Sequence, residues 1–66
     1  MQAEDAKERI LGVLKRRDKI PIHVVAKEAM LSVTTTSKYC YILQAENRIK
    51  MESFGNMKLV SRRGHT

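Results

Sequence analysis

Between Ala29 and Ala45 the chain carries a single charged side chain, Lys38, and this stretch contains five Ser and Thr residues, Ser32, Thr34, Thr35, Thr36 and Ser37. A helix opened by such a run presents short donors and unsatisfied backbone N–H groups with no carboxylate among them, which suits phosphate oxygens and the edges of bases. The same residue types also act as simple helix caps on a solvated face. With Thr36, Cys40 and Leu43 at i, i+4 and i+7 turned inward, Thr34, Thr35, Lys38 and Tyr41 occupy the opposite face, and Ser37 and Ile42 lie toward its edge. Lys38 is suited to guanine acceptors or a phosphate, and Tyr41 to a phosphate hydrogen bond or to stacking. A second group follows: Arg48, Lys50, Lys58, Arg62 and Arg63 stand against Glu46 and Glu52 over residues 46–66, with Gly55 and Asn56 between the two halves. Cations so placed can track a phosphate backbone, and a Gly-Asn tip can approach a sugar edge or a minor groove.

Catalytic and metal chemistry find little support. Cys40 falls on the inward stripe, where burial keeps a thiol protonated and inert. His23 and His65 form no Cys/His set at zinc-ligand spacing, and no Gly-rich phosphate loop is present. The expectation is therefore no catalytic residue, no metal, no cofactor and no small-molecule ligand.

The chain has 66 residues, 13 Lys+Arg against 7 Asp+Glu and a formal charge of +6. At this size only ~60% of the unfolded surface is buried, which leaves room for one small core and argues for a binding module. A 42% hydrophobic, 30% charged composition is that of a globular chain, while a 5% aromatic share leaves the core to aliphatics. One cysteine excludes an internal disulfide, and no apolar run reaches the ~18 residues of a membrane span. Neither a basic start nor an apolar stretch marks a signal peptide, so the expected setting is cytoplasmic, away from membranes.

Three helices and a hairpin must position these groups. Residues 4–17 predict an amphipathic helix, with Ala6, Ile10, Val13 and Leu14 on one face, Glu4 and Asp5 in its first turn and Lys15, Arg16 and Arg17 in its last. Pro21 limits the following Asp18–His23 segment to an edge strand at most. Val25, Ala26 and Ala29 mark a second helix from His23 to about Met30. The third begins at the Ser/Thr run and ends near Asn47, a residue that tolerates the left-handed conformation just past a helix. Alternation around Gly55-Asn56 predicts a β-hairpin over 48–61, with Ile49 and Met51 on one strand and Met57 and Leu59 on the other supplying its apolar side.

This order resembles the winged helix-turn-helix family of small bacterial, archaeal and viral-type regulators. Val25-Ala26-Lys27-Glu28-Ala29-Met30-Leu31-Ser32 is similar to the family's "LAKELGVS", and the stretch from Thr35 through Leu43 to Ile49 to its "TVSRYLKRLEEEGLI". The resemblance covers roughly residues 4–61. Met30 stands where the family turn has glycine, which implies a different turn conformation. Thr36 and Cys40 replace larger aliphatics, implying a thinner core under the third helix. Asn47 replaces a glycine and Arg48 an apolar residue.

The resemblance implies an α+β winged helix-turn-helix with a short strand after helix 1 and a C-terminal hairpin wing, one domain over 1–66; the ends at 1–3 and 62–66 are expected to be flexible. It implies double-stranded DNA as partner, with a possible homodimer. Thr34, Thr35, Ser37, Lys38 and Tyr41 would then read the major groove, and Arg48, Lys50, Asn56, Lys58, Arg62 and Arg63 would contact backbone or minor groove. Two alternatives keep the same basic face: docking of a protein within a larger assembly, and RNA binding.

Overall fold

The computed structural model describes residues 3–63. The elements are α1 (Ala3–Arg16), β1 (Ile20–Pro21), α2 (Ile22–Ala29), α3 (Val33–Ala45), β2 (Ile49–Phe54) and β3 (Met57–Arg62). Each helix forms where its apolar period runs, and each is within one or two residues of its expected bounds. Ala3 is helical, and Arg62 closes β3 in register with Ile49. Arg63 follows directly, its N–H donating to the Arg48 carbonyl at 3.2 Å. Residues 1, 2 and 64–66 lie outside the described residues.

The three strands form one antiparallel sheet in the order β1-β3-β2. β1 is the edge strand that Pro21 permits, and the chain turns from it straight into α2. Its first residue follows Lys19, which takes a left-handed φ of 59°. The Asp18 carboxylate secures that corner, since Oδ1 accepts the N–H groups of Lys19 at 2.9 Å and of Arg62 at 2.7 Å.

Two turns explain how α2 and α3 end. Met30 adopts φ 60°, ψ 45° after α2, its N–H bonding to the Lys27 carbonyl and the Leu31 N–H to the Ala26 carbonyl. This is a Schellman closure, which satisfies carbonyls the helix leaves open. The expectation of a different turn at Met30 is thus overturned: the closing bonds require the left-handed residue, and methionine bears its steric cost. Asn47 repeats the geometry after α3 at φ 62°, with Asn47 N–H to Gln44 and Arg48 N–H to Leu43, as its side chain type suggested. At the hairpin tip the positive φ falls on Gly55, at 61°.

Ala6, Ile10, Val13 and Leu14 from α1, Val25, Ala26 and Ala29 from α2, and Thr36, Cys40 and Leu43 from α3 are buried as their spacing indicated. The sheet closes this core with Ile49 and Val60, and the Ile20, Val60, Met51 rung runs across all three strands. Here the structure corrects the expected hairpin face. Met51 pairs with Val60, so Leu59 and Met57 lie on the opposite side of β3, Leu59 half-buried opposite Glu52 and Met57 exposed opposite Phe54. Side chains alternate at every residue, so the strand register alone selects which apolar set enters the core.

Candidate nucleic-acid interface

Ser32 sets the start of α3. Its backbone is extended, φ −69° and ψ 157°, and its Oγ accepts the Thr35 N–H at 3.1 Å. The rest of the hydroxyl run divides by helical angle. Thr36 is buried, Thr35 and Ser37 are half-buried on the flanks, and Thr34 is exposed. With Thr36, Cys40 and Leu43 facing the core, the outermost stripe is Thr34, Lys38, Tyr41 and Ala45, at i, i+4, i+7 and i+11. The sequence reading did not name Ala45, although that period continues to it.

The wing meets this stripe at one point. Lys58, on β3, donates from Nζ to the Tyr41 hydroxyl and stands 5.0 Å from the centroid of the Tyr41 ring. A cation over a ring face gains from the ring quadrupole, and here it also ties hairpin to helix across 17 residues of sequence. Lys38 makes a similar approach to Tyr39, 5.5 Å from its centroid. Thr34, Lys38, Tyr41 and Lys58 therefore form one continuous surface bearing two cations, with Asn56 exposed at the tip beyond Lys58.

The other expected contacts are not gathered here. Lys50 alternates to the other face of the sheet, where it is 3.3 Å from Glu52, itself 3.6 Å from Lys19. The Lys50 hydrogen bond and charge, with Lys19 behind them, hold the half-buried Glu52 carboxyl below its ordinary pKa. Arg48, Arg62 and Arg63 lie at the foot of the hairpin, four residues from Lys58 along β3, about 13 Å at ~3.3 Å per residue. There they line a pocket with Leu11 and Lys15 of α1. The α1 contribution was missed because Lys15 reads equally well as a cation at a helix C-terminus.

Nothing in the described residues builds a metal centre: no group of three His, Cys, Asp or Glu side chains comes together. No described helix is long and apolar enough to cross a membrane. Cys40 is fully buried, and desolvation pushes its thiol pKa up to about 11.

No family model matches the chain, and no curated protein matches its sequence. Among solved structures, the crystal structure of a MarR-family transcriptional regulator from Silicibacter pomeroyi superposes over 88% of this chain with a TM-score of 0.84 and 27% sequence identity. The chain is a winged helix-turn-helix domain. It spans 40% of the length of that regulator chain. In winged-helix terms α2 and α3 form the helix-turn-helix, with Met30 to Ser32 as its turn, and β2–β3 form the wing. The thin core inferred from Thr36 and Cys40 is closed in the winged helix by Ile49 and Val60 of the wing.

Proposed function

We propose that this winged helix binds double-stranded DNA and serves as a small transcriptional regulator, with the Thr34, Lys38, Tyr41 stripe of α3 in the major groove. The wing lies on the flanking backbone or minor groove through Lys58 and Asn56. The observation that carries this reading is the Tyr41–Lys58 contact, which joins an acid-free helix stripe to a basic wing as one surface. A recognition helix needs its first residues at base edges while a second element grips the backbone, and this surface supplies both. The MarR-family structure supports a regulatory role. Thr35 and Ser37 flank the stripe and suit phosphate contacts at the groove edge. Two-fold pairing on palindromic half-sites would enlarge the contact area that one ~66-residue module offers. The role is one of binding without catalysis, in a cytoplasmic setting.

The test is titration of labelled duplex DNA, an RNA hairpin and a single strand at two salt concentrations. Duplex should bind best, and Lys38→Ala should cost about 1–3 kcal/mol of duplex affinity. Equal binding of all three, unchanged by Lys38→Ala, would remove groove reading. Selection from random duplexes should enrich a motif; its absence would favour an architectural role.

A further inference from the structure

The pocket at the foot of the wing has a composition that the reading surface does not require. About 320 Å³ in volume, it is lined by Lys15, Arg48, Arg62 and Arg63 around the half-buried side chain of Leu11. Three separate segments bring the cations together: α1, the residue before β2, and the end of β3, where the Arg63 N–H bonds the Arg48 carbonyl. Among the described residues, no carboxylate lies within ion-pair distance of Lys15, Arg62 or Arg63, and Arg48 has only Glu46, at 3.9 Å. Asp18 meets Arg62 through the backbone, its Oδ1 accepting the Arg62 N–H, and among the described residues it forms no ion pair with the Arg62 side chain. Four convergent cations repel one another, so the arrangement favours an anion that neutralises them.

We propose that this foot pocket docks an acidic amphipathic segment of a partner protein, whose carboxylates pair with Lys15, Arg48, Arg62 and Arg63 while one apolar side chain covers Leu11. One observation favours a peptide over a continuation of the DNA track. The apolar floor at Leu11 gives a phosphate nothing to bind, whereas a carboxylate-rich segment with one aliphatic anchor satisfies both parts of the site.

The probe is a fluorescein-labelled helical peptide of glutamates with leucine at every third or fourth position, compared with polyglutamate of equal length by anisotropy. The chain with Arg62→Gln and Arg63→Gln is compared with a control of equal net charge, Arg9→Gln with Lys27→Gln. Leu11→Ser is the third variant, and circular dichroism reports that each is folded. The expected result is about tenfold weaker peptide binding for the foot variant than for the control, weaker binding by Leu11→Ser, and weaker binding of polyglutamate than of the leucine-bearing peptide. Equal loss in foot variant and control would reduce the effect to net charge and overturn the proposal, as would the lack of saturable peptide binding. A duplex-DNA arm completes the test: a greater loss of duplex affinity in the foot variant than in the control makes the pocket a backbone contact and overturns it too. Peptide binding is measured without DNA, so failure of the DNA-reading proposal leaves this result standing.

Discussion

Met30 is 82% exposed and left-handed, so its side chain contributes little packing while its Cβ opposes the backbone it must adopt. Glycine at that position removes the clash, against a smaller loss from the freer unfolded chain. Met30→Gly should therefore raise the unfolding free energy by about 1 kcal/mol in urea titration with an unchanged slope. Thr36 presents the opposite case, a buried side chain whose Oγ1 has no hydrogen-bond partner among the described residues. Replacing the hydroxyl by a methyl keeps the shape and ends the desolvation cost, so Thr36→Val should gain about 1 kcal/mol in the same assay. Cys40 titrates with a definite sign. Its thiol pKa of about 11 in the fold lies above the ordinary value, so its contribution is whole below that ordinary value and declines as the pH climbs toward 11. The stability difference between the natural chain and Cys40→Ala should narrow over that range, and Cys40 should react with a thiol reagent at neutral pH only as fast as the protein opens.

At the scale of elements, α3 depends on its first turn, because Ser32 supplies the side-chain cap where no acidic residue supports the helix dipole. Ser32→Ala should cost about 1 kcal/mol by thermal or chemical denaturation and weaken duplex binding through a frayed recognition-helix start. The helices were legible in the sequence because their signals are local: the periods of α1 and α2, the acid-to-base gradient along α1, the Ser/Thr run, and Asn47. The hairpin was legible as an element but not in its orientation. Met57 and Leu59 form an apolar set as convincing locally as Val60, and only pairing with β1 and packing under the helices distinguish them.

Across the whole molecule, the charge of +6 is distributed between two surfaces. If the two cations of the reading surface, Lys38 and Lys58, neutralise ~2 phosphates, log K should fall against log salt with a slope of about −1.8, and pairing on a palindrome should roughly double that slope. A much shallower slope measured by anisotropy would mean that few phosphates are engaged. The candidate reading residues on α3 could be named from the sequence because they share one helix, whose period sets their common face. The cations after α3 could be counted but not placed, since strand alternation and the meeting of α1 with the hairpin foot distribute them. Sequence by itself determined three helices, a wing, an inert buried thiol and an acid-free helix face, all of which follow from short-range periodicity and composition. Tertiary structure alone decided that Val60 enters the core, that Lys58 joins Tyr41, and that Arg48, Arg62 and Arg63 gather around Lys15 and Leu11. Each of those depends on register or on contact between segments far apart in the chain, which no local pattern encodes.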